Sequence, residues 1–536
     1  MSELDARPYA GIFPDTSPVT TEAAEDAQKL HVSIRDRDGD APDGTFAYWA
    51  ERSGAEFGDL PIDENGEGSV ALPPGDYVLV TGFWTDATDT ERGQSIMGMT
   101  EVTIEDEAQS LVIDGAAAAP VSVEVERDDA ELLSAIVTIG AGDGSKNLGY
   151  GTFLSPQDDA YLLPEPDLAG FELDFLYQPV LTGPEGDAGP YVYNLAFHEV
   201  GGFPDDAVYD IADEDLATVE TSYLHLGTPY GAEVGKACDY GDYIGHQIGL
   251  GFCRVIPTAA PSERTMYYTA DPEILWDNGF QTGERDARGS VVDGFLVFHD
   301  QVFEPGTVAL SMPNGGLSAG TGEFFRTTDG EGAAYLGAEA APIGGGNDEE
   351  LIVIGAKGDM ELSRDGETIA TATGFDFYWD ELYAGLPNPE PGRYTLRVDV
   401  TQAATGSVFG TDGSAEWRFD SGPIADDFEH LPLPVVQLTS ADIEGGYADR
   451  RGCQEITLDL RAFKYGEVVH AEDMTFAVSY DDGATWKDVA IDRDGDTATA
   501  ELVHPRGAEW VSVRMTALDD RGTEVEHTTI RAWGLD

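Results

Sequence analysis

The stretch from Thr475 to Trp486 reads Thr-Phe-Ala-Val-Ser-Tyr-Asp-Asp-Gly-Ala-Thr-Trp, and it decides the fold class of the chain. In its first half apolar and polar side chains alternate, so that Phe476, Val478 and Tyr480 share one face of a strand. In its second half an acidic, glycine-containing turn reverses the direction of the chain. The stretch therefore predicts a strand that ends in a tight turn within a β-rich domain.

The same pattern continues to the C-terminus and recurs upstream. Alternation returns at Thr497–Leu502, Trp510–Met515 and Thr523–Trp533, with short turns between these strands. Pro-Gly turns that lead into further strands are Pro74-Gly75, Pro305-Gly306 and Pro391-Gly392. Short alternating strands separated by such turns predict an all-β chain of tandem Ig-like β-sandwich domains with little helix.

A chain of 536 residues with these turn signals predicts several β domains in a row. Residues 1–27 are irregular and are predicted to be a linker or an N-terminal tail. The predicted domains are an Ig-like or carboxypeptidase-regulatory-like sandwich at 28–115, a large, less regular β domain at 116–335, a sandwich at 336–428 and a C-terminal Ig- or fibronectin-like sandwich at 429–536. The run Leu431-Pro432-Leu433-Pro434 is predicted to be a stiff linker into the last domain.

The chain is strongly acidic. Its 29 Lys and Arg residues against 102 Asp and Glu residues give a net charge of −73 at pH 7. This charge excludes nonspecific binding to nucleic acid or to an anionic membrane. The acids are spread along the chain and aromatic residues are plentiful, which predicts folded domains with an acidic surface. Such a surface suits a salt-tolerant or extracellular setting, although genomic base composition could produce the same bias.

The sequence also bears on localisation. No apolar run reaches the ~18 residues of a membrane span, so no membrane insertion is expected. The start, Met1 to Ala6, lacks the basic and apolar regions of a secretory signal. We therefore expect a cytoplasmic protein if this chain is a complete reading frame.

Three cysteines are present, and two of them are close in sequence. Cys238 and Cys253 are separated by a glycine-rich segment that can fold back on itself. A disulfide between them would stabilise the fold by roughly 3 kcal/mol. Two buried thiols are the alternative, and we predict the disulfide; Cys453 is left over.

Two acidic turns begin like a calcium-binding loop. The acids are Asp36, Asp38 and Asp40 in the first turn and Asp492, Asp494 and Asp496 in the second. Both turns lack the glycine at the sixth position and the glutamate at the twelfth that such a loop requires. We predict solvated hairpin turns, with weak, adventitious calcium binding as the minor alternative, and we expect no other metal and no cofactor.

Short catalytic motifs fail when their surroundings are inspected. Gly316 to Gly320 match G-x-S-x-G, which in α/β-hydrolases places a nucleophilic serine before a helix, but no helix pattern follows Ser318. His198-Glu199 lacks the second histidine of a zinc protease, since position 202 is Gly202. We therefore predict that the chain has no catalytic residue and is not an enzyme.

The stretch from Ser479 to Trp486 fits S-x-D-x-G-x-T-W, the Asp-box of sialidases and other β-propellers. In this turn the aspartate accepts backbone N–H groups, the glycine takes a positive φ and the tryptophan packs on the sheet. A propeller needs one copy for each blade, and this chain has one copy. A structural turn is therefore predicted. Its residues are Ser479, Asp481, Gly483, Thr485 and Trp486.

From about Leu30 to the end, the chain resembles the non-catalytic C-terminal region of large secreted bacterial subtilisin-like serine proteases. The stretches that carry the resemblance are Leu30–Gly39, Leu216–Tyr223, Ala415–Gly422, Ser479–Trp486 with His504-Pro505, and Val511–Trp533. All are structural signatures, and the catalytic domain of that family would precede residue 1, so no catalytic residue is carried over. The resemblance implies an extracellular protein whose partner is a subtilisin-like catalytic domain.

Two functions of different class follow. The first is a non-catalytic accessory region of a protease, which binds substrate or a surface or supports folding. The alternative is an independent extracellular glycan-binding or adhesive β-sandwich protein, whose partner is an extracellular protein or glycan. A weaker alternative, a glycosidase, needs two inward-facing carboxylates across a cleft, and a sequence with 102 acids does not single out that pair.

Overall fold

The computed structural model describes much of the chain from residue 27 onward. The described residues are 27–53, 56–143, 147–184, 186, 189–224, 234–243, 256–259, 261–285, 291–312, 317–318, 322–328, 334–340, 344–345, 350–354, 357–376, 382–386, 391–401, 408–422, 428–431, 433–462 and 468–536.

Strands account for most of these residues. In the first half of the chain they are β1 (Gln28–Arg35), β2 (Gly44–Glu51), β3 (Phe57–Asp59), β4 (Glu67–Leu72), β5 (Gly75–Thr85), β6 (Gly93–Ile104), β7 (Gln109–Asp114), β8 (Ala119–Val125), β9 (Glu131–Gly142), β10 (Asn147–Leu154), β11 (Asp158–Leu162), β12 (Glu172–Thr182), β13 (Tyr191–Asn194), β14 (Phe197–Val200), β15 (Ala207–Ile211), β16 (Leu216–Tyr223), β17 (Val234–Tyr243), β18 (Ile256–Ala259) and β19 (Ser262–Thr269).

The second half continues in the same way. Its strands are β20 (Ile274–Arg285), β21 (Val291–Gln301), β22 (Gly306–Met312), β23 (Leu317–Ser318), β24 (Gly322–Thr328), β25 (Ala334–Ala340), β26 (Gly344–Gly345), β27 (Glu350–Ile354), β28 (Lys357–Arg364), β29 (Glu367–Asp376), β30 (Leu382–Leu386), β31 (Gly392–Thr401), β32 (Asp412–Ser421), β33 (Phe428–His430), β34 (Pro434–Thr439), β35 (Ile443–Glu444), β36 (Tyr447–Ala448), β37 (Cys453–Ala462), β38 (Ala471–Ser479), β39 (Lys487–Val489), β40 (Ile491–Asp494), β41 (Thr497–Val503), β42 (Trp510–Asp519) and β43 (Glu524–Leu535).

The prediction of an all-β fold is confirmed. Helical structure in the described residues is limited to short 3-10 turns, at Gly115–Ala117, at Asp213–Asp215 and at Gly186. The second of these is the acidic run that directly precedes β16. None of the described residues forms a helix that is long and apolar enough to cross a membrane.

Two sheets face each other at the N-terminal end. A three-stranded sheet, β4-β1-β7, covers a seven-stranded sheet, β15-β8-β11-β6-β5-β2-β3. The alternation of β1 turns Leu30, Val32 and Ile34 into the core between them, where they join Leu79 and Phe83.

The middle of the chain supplies an eight-stranded sheet and several smaller ones. The larger sheet has the order β10-β9-β12-β13-β19-β16-β22, with β14 also pairing with β12. The smaller sheets are β18-β17-β20-β21-β27, β30-β25-β24-β33 and β23-β26. Residues 116–335 are thus rich in strand, as expected, but they also lend β8, β11 and β15 to the seven-stranded N-terminal sheet.

A ten-stranded sheet dominates the C-terminal part. Its path is β29-β28-β31-β32-β43-β42-β38-β39, with β35 and β36 attached beside β43. Strands β32 and β43 pair from Asp412↔Ile530 to Arg418↔Glu524. The domain boundaries at 115 and 428 stay predictions, and the structure adds that hydrogen-bonded sheets run across both positions.

A four-stranded sheet, β34-β37-β41-β40, covers one face of the ten-stranded sheet. Trp417 is buried between them, and its Nε1 donates to the carbonyl oxygen of Pro434 at 2.8 Å. The predicted stiff linker is therefore wrong at its end. Leu433 is buried, and Pro434 is the first residue of β34, whose backbone contacts Trp417.

Candidate functional site

The Asp-box turn joins β38 to β39 and is closed by its own side chains. Asp481 Oδ1 accepts from the Thr485 backbone N–H at 2.8 Å, and Asp481 Oδ2 accepts from the Thr485 hydroxyl at 2.6 Å. The Ser479 hydroxyl donates to Asp481 Oδ1 at 2.7 Å and accepts from the Gly483 N–H at 2.9 Å. These four bonds give the turn one rigid conformation.

Two residues of the turn take positive φ values. Gly483 has φ 80, which glycine adopts without steric cost, and Asp482 has φ 54. Aspartate tolerates this left-handed region better than most residues do. The conformation turns the Asp482 side chain toward strand β43, where it meets Arg531.

Arg531 lies in a bulge of β43. Val511 of β42 pairs with Trp533 of β43, and Val513 pairs with Thr529. Over this interval β43 is therefore longer than β42 and bulges. Arg531 has φ 56, and its N–H donates to the Ser512 hydroxyl at 3.0 Å. Bulges redirect side chains, and this one aims the Arg531 guanidinium at the Asp-box turn.

Asp482 and Arg531 form a bidentate ion pair. Both guanidinium nitrogens involved, Nε and Nη2, lie 2.9 Å from the two carboxylate oxygens. The guanidinium holds the pKa of the Asp482 carboxyl below its usual range, and the same pairing raises the pKa of Arg531. Two residues with strained backbones are thus fixed against each other.

Aromatic rings adjoin this ion pair. The Arg531 Cζ lies 5.4 Å from the centre of the Trp510 ring. Trp510 and Tyr447 both cover Gly534, where a Cβ would lie 2.4 Å from the Tyr447 ring and 3.2 Å from the Trp510 ring. Buried Phe409 supports both rings from one side, with centroids 5.7 Å from Trp510 and 5.2 Å from Tyr447.

A second aromatic ring, that of Trp486, lies beside Arg514, which is further along β42. Trp510, Ser512 and Arg514 alternate onto the same face of this strand. The Arg514 Cζ lies 4.3 Å from the centre of the Trp486 ring. We call this surface the Trp510 strip. It consists of Tyr447, Asp482, Trp486, Trp510, Arg514 and Arg531, with Ser512 buried at its centre. From Trp510 to Arg514 the strand rises about 13 Å.

The aromatic residues of the strip are less buried than the core tryptophans Trp276, Trp417 and Trp533, and the buried Nε1 of Trp533 has no partner among the described residues. In the core, Trp276 and Trp417 each donate their indole N–H to a backbone carbonyl. In the strip, Trp486, Trp510 and Tyr447 are half-buried. Within the described part of the chain no hydrogen-bond partner meets their polar atoms, which reach solvent. Aromatic residues that combine an apolar ring face with a polar atom in contact with solvent are typical of binding surfaces.

The first acidic turn is not a hairpin and is solvated only in part, because Asp38 and Asp40 are exposed whereas Asp36 is buried. Asp36 is 6% exposed, and its Oδ1 accepts from the N–H groups of Asp38 and Asp40 at 3.0 and 2.8 Å. Strands β1 and β2 on either side of it lie in different sheets.

The second acidic turn joins the paired strands β40 and β41, with Asp492 and Asp494 exposed on β40. Asp496 accepts from the Ala471 N–H at 2.7 Å. Across the described residues, no group of three or more His, Cys, Asp or Glu side chains could hold a metal ion.

Several predicted features lie partly outside the described residues. Cys253 is outside them, and for Cys238 and Ser318 only the backbone is described, in β17 and β23. The predicted disulfide therefore stays a prediction. Cys453 is an exposed free thiol at the start of β37. Trp486 belongs both to the predicted Asp-box residues and to the strip. From the sequence, Arg531 and Trp510 are predicted only as strand residues, so their place in the strip was missed.

No protein-family model matches the chain, and no curated protein matches it. Among solved structures, the chain is similar to the Bacillus anthracis TIE protein, at 10% identity over 54% of this chain and 51% of that one, with a TM-score of 0.13. It is also similar to BcpA, the major pilin subunit of Bacillus cereus, at 10% identity over 53% of this chain and 98% of that one, with a TM-score of 0.11.

A further similar structure is a streptococcal ancillary pilin, at 9% identity over 53% of this chain and 98% of that one, with a TM-score of 0.12. Likenesses at this identity and TM-score do not bear on what the chain does. The β-rich fold rests on the strands and sheets of the chain itself.

Proposed function

We propose that the chain is a non-catalytic, extracellular binding protein of the adhesive or glycan-binding kind. The observation that supports this most is the Trp510 strip. Its half-buried rings keep their polar atoms free beside the Asp482–Arg531 ion pair, and Arg514 lies over the Trp486 ring. Such a combination binds ligands through stacking and hydrogen bonds and needs no reacting group.

The scaffold of the strip suits this role. β42 is paired on one side with β38 and on the other with β43, so it lies inside the ten-stranded sheet. The Asp-box bonds and the bulge fix the turn and Arg531 before any ligand arrives. A preorganised surface loses little conformational entropy on binding, which raises affinity for a given contact area.

The proposal is tested by the binding of the whole chain to immobilised glycans and extracellular matrix proteins. We expect at least one ligand to bind, and Trp510→Ala or Trp486→Ala to weaken it about tenfold. Tyr161→Ala is the matched control, because Tyr161 also lies under an arginine, with Arg37 Cζ 3.8 Å from its ring centre, but outside the strip. No binding, or equal binding by all variants, would contradict the proposal.

The same proposal predicts that the chain hydrolyses neither peptide nor glycosidic bonds. A serine enzyme needs a base within hydrogen-bond reach and an oxyanion hole beside its nucleophile, and the residues after Ser318 show no helix pattern to place them. The measurement is incubation with casein and with aryl glycosides, beside Ser318→Ala. Turnover by the parent chain that disappears in this variant would make the chain a hydrolase.

A second proposal rests on the resemblance to the C-terminal region of subtilisin-like proteases. Two stretches that carry it, Ala415–Gly422 and Val511–Trp533, contribute to neighbouring strands β32 and β43 of one sheet. The accessory role would be supported by a coding region for a catalytic Asp-His-Ser domain directly upstream in the same reading frame. Ligand binding by the isolated chain favours the first proposal, since an accessory folding role does not require it.

A further inference from the structure

We propose that the Trp510 strip takes an uncharged glycan chain that lies along β42, and that it discriminates against anionic glycans. This inference rests on the proposed binding function and names the ligand class of the same surface. It follows from the order of groups along the strand, from the hydrogen bonding of that strand and from the charges around it.

The order of groups fits an extended ligand with alternating apolar faces and polar edges. One ring, Trp510, lies on β42, and the other, Trp486, lies under the guanidinium of Arg514, a residue about 13 Å further along that strand. Between them lies the exposed Asp482–Arg531 pair, which offers adjacent acceptors and donors, while the buried Ser512 hydroxyl accepts from the Arg531 backbone N–H. Sugar rings present C–H faces to aromatic rings and pairs of neighbouring hydroxyls to such ion pairs, so a short oligosaccharide satisfies both.

The hydrogen bonding of β42 argues against an extended peptide. Peptides are commonly bound by adding a strand to a free sheet edge, with main-chain bonds supplying the affinity. β42 has no free edge here, because β38 pairs with it from Ala471↔Asp519 to Ser479↔Ser512 and β43 pairs with it on the other side. With both edges paired, β42 offers a ligand its exposed side chains and no backbone edge, which fits a glycan better than a peptide strand.

The charges around the strip disfavour an anionic ligand. Arg531 is already neutralised by Asp482, and Asp412 and Glu509 also lie close enough to act on Arg531. Asp481 lies beside Asp482. Three carboxylates thus act on Arg531, and a fourth lies beside its partner Asp482, in a chain with a net charge of −73. A uronate or a sulfated sugar would have to enter this negative field, whereas a neutral sugar would not.

The test is calorimetric titration of the whole chain with neutral oligosaccharides of several linkages and with uronate oligosaccharides of matched length. We expect a neutral ligand to bind, with an affinity that changes less than about twofold between low and physiological salt. Trp510→Ala and Trp486→Ala should each weaken it about tenfold, with Trp510→Phe intermediate and Tyr161→Ala unchanged. Far-UV circular dichroism of each variant separates lost binding from lost fold.

The outcomes separate this inference from the function on which it rests. Tighter binding of the uronate ligand than of the neutral one would overturn the inference and leave a glycan-binding protein. Neutral binding that folded strip variants retain in full would place the site elsewhere and also overturn it. Failure to bind any glycan, with binding to a matrix protein that depends on Trp510, would overturn the inference and leave an adhesive protein.

Discussion

His527 lies in the core between the ten-stranded sheet and the sheet that covers it. Its ring packs edge-to-face against Trp417 at a centroid distance of 5.3 Å, and neither ring nitrogen has a hydrogen-bond partner among the described residues. Burial lowers the pKa of the ring from 6.5 to about 3. The histidine is therefore neutral in the folded protein over most of the acid range, whereas in the unfolded chain it becomes charged below its ordinary pKa.

This difference makes the stability of the fold sensitive to acid. Because the folded-state pKa is lowered, the unfolded chain binds more protons between about pH 6.5 and pH 3, so stability falls as the pH falls through that window. The loss approaches about 1.4 kcal/mol for each pH unit. His527→Phe keeps the ring contact with Trp417 and removes the titration. Chemical denaturation at several pH values should show a shallower acid slope in the variant, and equal slopes would contradict the assignment.

Gly534 gives a second prediction at this scale. A Cβ at this position would lie 2.4 Å from the Tyr447 ring and 3.2 Å from Trp510. Gly534→Ala should therefore displace Tyr447, shift the tryptophan fluorescence and cost about 1–3 kcal/mol of stability. Gly452→Ala is the control, because a Cβ at that position would have no heavy atom within 4 Å. Equal thermal midpoints for the two variants would show that the rings do not rest on Gly534.

At the scale of elements, the pairing of β32 with β43 joins two segments that the sequence places in different domains, 336–428 and 429–536. Its solvent side carries ion pairs from Arg418 to Glu524 at 3.1 Å and from Arg393 to Glu524 at 3.4 Å. Exposed pairs of this kind contribute about 0–1 kcal/mol each, so they add little. The backbone hydrogen bonds between the two strands and the burial of Trp417 under β34 contribute more to stability.

This pairing predicts how fragments behave. A fragment of residues 429–536 leaves β43 with an unpaired edge and removes Trp417 from the core, so it should unfold at lower temperature or associate through that edge. A fragment of residues 357–536 keeps both and should be monomeric and more stable. Thermal unfolding and light scattering of the two fragments decide the matter. A stable, monomeric shorter fragment would support an independent domain that begins near residue 429.

At the scale of the whole molecule, charge dominates the response to solvent. A net charge of −73 repels itself, and the range of this repulsion falls from about 30 Å at 0.01 M salt to about 3 Å at 1 M. We expect the midpoint of thermal unfolding to rise by roughly 5–10 °C over that range. Sucrose at matched osmolality is the control, since it stabilises without screening. A midpoint that is independent of salt would contradict the expectation.

Much of the strand content was predictable, because the alternation of β1 and β38 and the turns between strands are local properties. The sheets were not predictable, since pairing depends on residues far apart in the chain. Strands β8, β11 and β15 follow position 115 and join the seven-stranded N-terminal sheet. Their own sequences do not indicate which strands they pair with. The Trp510 strip is similar: Asp482 and Arg531 become neighbours only because β42 lies between the turn and the bulge.

One pentapeptide shows where this division lies. Asp-Arg-Asp-Gly-Asp occurs at 36–40 and again at 492–496, and in both places the sequence alone determines a turn, with Gly39 at φ 90 and Gly495 at φ 65. The tertiary structure decides whether that turn is a hairpin between paired strands or a crossing between two sheets. At the second copy the flanking strands pair directly, with Asp494 opposite Thr497, so two residues suffice to connect them. At the first copy the chain passes from one sheet to another, since β1 and β2 lie in different sheets. Asp36 is buried at this crossing, and its carboxylate accepts from the backbone N–H groups of Asp38 and Asp40, which pair with no neighbouring strand among the described residues.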